Sequence, residues 1–136
     1  MEREILFRGK RADNGEWVEG WLVQDEYCGS EPPEIGKYSH GEFHGEYVVP
    51  ETVEQFTGLY DAAGTRIFEG DILAEYDADE KRAEAVGFPI SYLDAGFGVK
   101  YPGIELYHVL ERRDCKHYAV IGNVHDNPEL LINAAP

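Results

Sequence analysis

Residues 55–73 read QFTGLYDAAGTRIFEGDIL and hold three glycines and two aspartates in nineteen residues. The β-prone residues of this stretch form short extended runs, and the glycines and aspartates fall between those runs. An aspartate at the first position of a turn bonds its own backbone, and a glycine at the fourth position can adopt a positive φ. Asp61 and Gly64 therefore predict a turn between two strands, and Glu69-Gly70-Asp71 predicts a second turn.

Two ligand-binding loops are excluded by the same stretch. A phosphate-binding P-loop requires a lysine directly after its last glycine, but Asp71 follows Gly70 and would repel a phosphate. A calcium-binding EF-hand loop requires acidic residues at positions one, three and five and a glutamate at position twelve. Counted from Asp61, the last three of these positions hold Ala63, Thr65 and Ile72. The glycines are therefore predicted to set backbone geometry.

The N-terminal part of the chain predicts a hairpin. Residues 4–8 and 17–24 are β-prone, and Asn14-Gly15 between them is a strong hairpin signal. Trp17 and Trp21 fall on the same face of the second run, where an aromatic pair favours core packing over a ligand platform.

The remaining pattern predicts a mainly β fold. Short β-prone runs recur at short intervals, separated by glycine and proline, and Pro128 favours a closing helical turn. This pattern is typical of a small antiparallel barrel of short strands with minor peripheral helices. We expect a single domain over residues 1–136, with a loop insertion at about 25–46, because that segment lacks any sustained hydrophobic period.

The charge of the chain restricts its partners. Twelve Lys and Arg against 27 Asp and Glu give a net charge of −15, and the sequence pI is about 4.6. Basic residues occur singly or in pairs and form no stripe, so the chain cannot supply the counterion release on which nucleic-acid binding depends. We therefore expect no direct binding to nucleic acid.

Cysteine content and hydropathy predict a cytoplasmic protein. Cys28 and Cys115 are far apart and form no CxxC motif, which fits a reducing compartment better than a disulfide framework. The first residues do not form a signal peptide, and no apolar run approaches the roughly 18 residues of a membrane helix. No membrane association and no cofactor are expected.

Three groups of residues are candidates for metal binding or chemistry. His40 and His44 have a metal-ligand spacing for a helix, but Gly41 and Gly45 disfavour a helix there. Cys115 and His117 would point the same way on a strand, where they suit a metal or a cysteine nucleophile, with His108 upstream as a third group. The third group consists of Asp77, Asp79, Glu80 and Glu84. Such a run of charges is usually a solvated face, and the alternative is a weak divalent-cation site.

Three blocks of the sequence together resemble one family. EILFRGKRADNGEWVEGWLV near the start, QFTGLYDAAGTRIFEGDIL, and YAVIGNVHDNPELL near the end are similar to the YopX family of phage and prophage proteins. The blocks keep the family's order and cover about half of the chain, whereas residues 25–46 and 77–117 carry little that matches. The resemblance implies a β-rich, barrel-containing fold with peripheral helices and an origin in a mobile element. It implies no activity, substrate or catalytic residue.

These observations favour a non-catalytic protein-binding or assembly module with an acidic surface, which engages a host or phage protein. One alternative is a small metal-binding protein or enzyme that uses His108, Cys115 and His117. Another is a nucleic-acid mimic that occupies the basic groove of a DNA-binding protein. Self-association into a homo-oligomer is also expected, because short β-strands leave edges that must be covered.

Overall fold

The computed structural model describes residues 4–24, 32–93, 96–100, 107–112 and 115–131. These residues form thirteen strands and three short 3-10 helices. The predicted mainly β fold is therefore confirmed. Contacts group the chain into two compact units, Met1–Phe56 and Thr57–Pro136; organisation as one domain stays a prediction. No helix in the described ranges is long and apolar enough to span a bilayer.

The first unit is built on an antiparallel sheet. Its strands are β1 (Phe7–Lys10), β2 (Trp17–Val23), β3 (Glu34–Ser39), β4 (Glu42–Tyr47) and the start of β5 (Glu54–Tyr60), in the order β4-β3-β2-β1-β5. A 3-10 helix, Pro50–Thr52, precedes β5. The predicted first hairpin is confirmed, with Lys10 opposite Trp17 and Phe7 opposite Gly20.

The core of the first unit lies on the inner face of this sheet. Ile35 and Val48 are fully buried, and Phe56 is nearly so. Gly9 allows this packing, because a Cβ at that position would come within 3.1 Å of both Ile35 and Val48. The opposite, outer face of the sheet carries the exposed aromatic residues that are considered below.

The predicted barrel is wrong. Arg11 and Val48, which follow β1 and β4, form an isolated antiparallel bridge that brings the two strand ends together. A single bridge does not form a ladder, so the sheet curls strongly but stays open, and the described residues contain no closed barrel.

The loop predicted at about 25–46 is wrong for its second half. Residues 34–47 form the β3–β4 hairpin, in which Tyr38 faces Phe43 and Ser39 faces Glu42. The two residues between the strands, His40 and Gly41, have φ of 53° and 79°, as a tight hairpin turn requires. Residues 25–31 lie outside the described residues.

The second unit contains two further antiparallel sheets. The strands that follow β5 are β6 (Arg66–Phe68), β7 (Asp71–Asp77), β8 (Arg82–Ala83), β9 (Phe88–Pro89), β10 (Ser91–Leu93), β11 (Gly96–Lys100), β12 (Tyr107–Val109) and β13 (Tyr118–Asn123). One of the two sheets has the order β13-β7-β8, with β9 also paired to β7, and the other has the order β10-β11-β12. The buried cluster consists of Ile67, Leu73, Ile90, Leu110 and Cys115. The closing 3-10 helix, Pro128–Leu130, has Pro128 at its start as predicted.

The turn predicted at Asp61–Gly64 is confirmed, and Asp61 organises it. One carboxylate oxygen, Oδ1, accepts hydrogen bonds from the backbone N–H of Ala63 at 2.9 Å and of Thr65 at 2.8 Å. The other oxygen, Oδ2, accepts the N–H of Val120 in β13 at 2.9 Å. Asp61 is buried, so this one side chain ties the turn to a strand that lies far away in the sequence.

We expect alanine at Gly64 to cost about 1 kcal/mol of unfolding free energy, because Gly64 has a φ of +85° that L residues adopt with strain. A Cβ added there would meet no atom within 4 Å, so the loss would report backbone strain alone. Urea denaturation measures it. Gly64→Asn is the matched control and should lose less, since asparagine tolerates this conformation better than alanine. Equal stability of Gly64→Ala and the native chain would contradict the prediction.

Glu69, in the second predicted turn, makes stability depend on pH. Partial burial raises the pKa of Glu69 above its ordinary value of 4.5. Because the folded pKa exceeds the unfolded one, the stabilising contribution is fully present below the unfolded pKa and is lost as pH rises through the folded pKa. At pH 7 the charged carboxylate therefore destabilises the fold.

We expect Glu69→Gln to raise the urea midpoint at pH 7, because glutamine removes the partly buried charge. The gain should shrink as pH falls and disappear well below 4.5, where the glutamate is neutral in both the folded and the unfolded chain. Glu84→Gln, at an exposed position of the same unit, serves as the control and should show no comparable change with pH. A Glu69→Gln gain that stays constant between pH 4 and pH 7 would show that burial of the charge is not its cause.

Candidate functional site

The two histidines of the β3–β4 hairpin lie at its turn and on its outer strand. His40 occupies the turn, where its Nδ1 lies 3.1 Å from Ser39 Oγ. His44 lies in β4 opposite Lys37 and is exposed. The chain between them is a turn and a strand, so the helical spacing that would align them on one face does not arise. The described part of the chain holds no group of three or more His, Cys, Asp or Glu side chains placed to bind a metal.

The predicted pairing of Cys115 with His117 on a strand is wrong. Cys115–His117 is a 3-10 helix, in which residues two apart project in different directions. Cys115 is buried in the core, with its Sγ 3.4 Å from the Glu111 carbonyl oxygen, whereas His117 is exposed. The backbone of His108 lies in β12, opposite Val99, and its side chain lies outside the described set.

The acidic run that begins at the last residue of β7 forms a turn and one side of a groove. Asp77 Oδ1 accepts the backbone N–H of Asp79 at 2.9 Å and of Glu80 at 3.2 Å, and Glu80 in turn pairs with Arg82 at 3.3 Å. A groove of about 400 Å³ is lined mainly by polar residues, among them Glu75, Asp77, Glu80, Glu84 and His117. The carboxylate of Asp77 is engaged as a turn cap, which agrees with a solvated face.

The outer face of the first sheet carries a cluster of exposed aromatic side chains. Trp21 is 62% exposed and Tyr38 is 59% exposed. Their rings meet edge to face with centroids 6.0 Å apart, and the Tyr38 and Phe43 ring centroids are 5.3 Å apart. We call these three residues the aromatic cluster. The prediction that both tryptophans pack in the core is therefore wrong for Trp21, although the two do share a face.

The strand register explains why these rings share one face. Trp21 in β2 lies opposite Gly36 in β3, and Gly36 lies opposite Gly45 in β4. Directly opposed residues of an antiparallel ladder project to the same side. The two glycines therefore leave the centre of this face without side chains. A Cβ at Gly45 would come within 2.5 Å of the Phe43 ring, so this ring lies over the glycine.

Trp17, on the same face, is covered by cations. The guanidinium carbon of Arg8 lies 4.7 Å from the Trp17 ring centroid, and Lys10 Nζ lies 5.4 Å from it. Both distances suit a cation–π interaction. Arg8 also donates hydrogen bonds to Glu54 Oε1 from its Nε at 3.1 Å and its Nη2 at 3.0 Å. This part of the face is thus closed by the chain's own charged side chains.

The sequence contained a signal for the aromatic cluster. The alternation of β2 placed Trp17, Glu19, Trp21 and Val23 on one face, but a charged residue among apolar ones does not show which face is covered. The second half of the cluster comes from β3 and β4, where the sequence pattern predicts a loop. Without that hairpin, neither Tyr38 nor Phe43 could be placed beside Trp21.

Comparison with known proteins agrees with this architecture. The model of the family described as YopX protein matches residues 6–132. Among solved structures, the crystal structure of protein EF1440 from Enterococcus faecalis is similar at 30% sequence identity. The alignment covers 95% of this chain and 99% of that chain, with a TM-score of 0.59. A search of curated proteins found no match. Since the family model covers nearly the whole chain, the protein belongs to the YopX family.

Proposed function

We propose that the protein is a non-catalytic binding module of phage or prophage origin, which acts in the cytoplasm and contacts a protein partner through the aromatic cluster. The observation that carries the proposal is the exposure of Trp21 and Tyr38, two large rings in contact with each other on an open sheet face. Tryptophan and tyrosine are enriched among the residues that dominate binding energy at protein interfaces. Contiguous exposed apolar groups are otherwise disfavoured on a soluble surface.

The charge of the chain supports a basic partner. The net charge of −15 attracts a cationic surface over distances longer than a direct contact and speeds its encounter. The same charge opposes self-association, because two copies that each carry a net charge of −15 repel each other. A homo-oligomer, which would pair two copies through β4 as the terminal strand of the described sheet, is therefore the weaker proposal.

Neither alternative function gains support of this kind. An enzyme built on Cys115 and His117 needs the two side chains in one pocket, but the first is buried and the second is exposed. A nucleic-acid mimic would engage its partner through rows of carboxylates. It would not depend on aromatic rings, so substitution of the rings separates the two hypotheses.

The test is affinity capture from a lysate of the host bacterium with three forms of the protein. The native chain is compared with a Trp21→Ala, Tyr38→Ala double variant and with Tyr92→Ala. Tyr92 is the matched control, since it is 55% exposed and also meets a second ring, Phe97, edge to face at 5.0 Å. All three forms are first checked for folding by circular dichroism and urea denaturation.

We expect proteins captured by the native chain to be kept by Tyr92→Ala and lost by the double variant, because only the double variant removes the proposed contact. Capture of the same proteins by all three forms would overturn the proposal. Light scattering of the purified protein at low and high salt tests self-association separately. A monomer of 15.4 kDa in both conditions would exclude the homo-oligomer.

A further inference from the structure

The outer face of the first sheet already binds cations on an aromatic ring. Arg8 and Lys10 both lie over Trp17, at 4.7 Å and 5.4 Å from its ring centroid. Trp21 lies four residues after Trp17 in β2, on the same face. Within the described ranges, no arginine or lysine lies over the Trp21 ring, and that ring is largely exposed. One tryptophan of this face is thus covered by cations and the next is open.

The Trp21 ring lies beside two glycines. Its neighbours across the sheet are Gly36 and then Gly45, neither of which has a side chain. Tyr38 and Phe43 follow these glycines in one direction along the strands, and Tyr47 follows in the other. Because the Phe43 ring lies over Gly45 and the β4 backbone closely approaches Gly36, the surface open to a partner side chain is the exposed Trp21 ring itself.

Carboxylates flank Trp21 in both directions along the sheet. Glu34 lies opposite Val23, which follows Trp21 by two residues, whereas Glu19, two residues before Trp21 on the same face, lies opposite Arg8. The whole segment of residues 17–47 contains one lysine and seven acidic residues, a net charge of −6. An open tryptophan between carboxylates is complementary to a cation and repels a phosphate.

From this arrangement we infer that the aromatic cluster is a subsite for an arginine or lysine side chain carried on a basic segment of the partner. The cation packs on the Trp21 ring as Arg8 packs on Trp17, and the flanking carboxylate of Glu34 balances its charge. The inference rests on the proposed function and deepens it, because it specifies the chemistry of the residue that the partner inserts.

The experiment uses short labelled peptides in which glycine alternates with arginine, lysine or citrulline. Citrulline has nearly the shape of arginine but no charge, so it separates charge from shape. Affinity is measured by fluorescence anisotropy with the native chain, with Trp21→Ala and with Tyr92→Ala. Because the chain has two tryptophans, a Trp17→Phe variant leaves Trp21 as the sole tryptophan, and its emission reports contact with the peptide directly.

We expect the arginine and lysine peptides to bind and to change the emission of Trp21. Replacement of arginine by citrulline, or of Trp21 by alanine, should weaken binding by about two- to fivefold. Tyr92→Ala should bind like the native chain. Binding should also weaken as ionic strength rises from about 0.05 M to about 0.5 M, because added salt screens the attraction.

Several results would overturn the inference. Equal binding of arginine and citrulline peptides, unchanged affinity in Trp21→Ala, or no binding of either cationic peptide would each exclude a cation subsite. Competition by a single-stranded oligothymidylate would assign the rings to base stacking, and a dimer that is lost in Trp21→Ala would assign them to a second copy of the chain. If the lysate proteins are still lost in the double variant while cationic peptides fail to bind, the proposed function stands and the subsite falls.

Discussion

Replacement of Asp61 by alanine is expected to lower the unfolding free energy by about 3–5 kcal/mol. Three backbone N–H groups, those of Ala63, Thr65 and Val120, donate to the Asp61 carboxylate. Hydrogen bonds to a charged acceptor are stronger than neutral ones, and all three of these part-buried bonds are lost in the alanine variant. Urea denaturation, monitored by circular dichroism, measures the loss.

Two variants separate the role of Asp61 from a general effect of losing a turn aspartate. Asp77 makes the same kind of local bonds, to the N–H groups of Asp79 and Glu80, at an exposed turn. Asp77→Ala is therefore expected to cost no more than about 1 kcal/mol. Asp61→Asn keeps an acceptor for the turn but places an amide N–H₂ towards Val120, so its loss should be intermediate. Equal losses in Asp61→Ala and Asp77→Ala would contradict the assignment.

Local signals in the sequence were sufficient for the turns. Asp61 and Gly64 act within four residues of each other, and their geometry follows from side-chain bonding and from the freedom of glycine at positive φ. The first hairpin was predictable for the same reason, since Asn14-Gly15 lies between two β-prone runs. The bond from Val120 to Asp61 joins residues 59 apart, and no local pattern indicates such a partner.

The β3–β4 hairpin shows where the sequence pattern failed. Its two-residue turn is His40-Gly41, which lacks the asparagine or aspartate of the strongest hairpin signals. Most of its residues are exposed on both faces, so the alternation of apolar and polar residues that identifies a strand is weak. The strands are fixed by pairing with β2 and with each other, which is tertiary information.

The candidate site depends on the β3–β4 hairpin, which the sequence pattern does not predict. The sequence predicts Trp21 in the core because large aromatic residues are buried on average, and the alternation of β2 does not show which face is covered. Once β3 places Gly36 next to it, the Trp21 ring has no neighbouring side chain to cover it at that position. Cys115 and His117 were misplaced for a related reason, since a strand and a 3-10 helix direct side chains differently and three residues of sequence do not distinguish them.

Loss of the Glu54 carboxylate should have the second large effect on stability. Glu54 is 6% exposed and Arg8 is 12% exposed, and the pair is joined by two hydrogen bonds of 3.0 and 3.1 Å. Removing one member of a buried pair leaves the other charge in a poorly solvated position, which typically costs 3–5 kcal/mol. Because Arg8 also packs on Trp17, we expect the lower part of this range, about 3 kcal/mol, for Glu54→Ala.

The matched control for Glu54 is an ion pair on the surface of the same unit. Glu46 lies 3.5 Å from Arg11 Nη2 and is 51% exposed, so Glu46→Ala should change the unfolding free energy by less than about 0.5 kcal/mol. The emission of Trp17 gives a second measurement, since Trp21→Phe leaves Trp17 as the sole tryptophan. In that background, Glu54→Ala should alter Trp17 emission, because Arg8 loses the carboxylate that fixes its position over the ring, whereas Glu46→Ala should not. Similar losses of stability in the two alanine variants, with Trp17 emission unchanged in both, would show that the buried pair does not hold Arg8 in place.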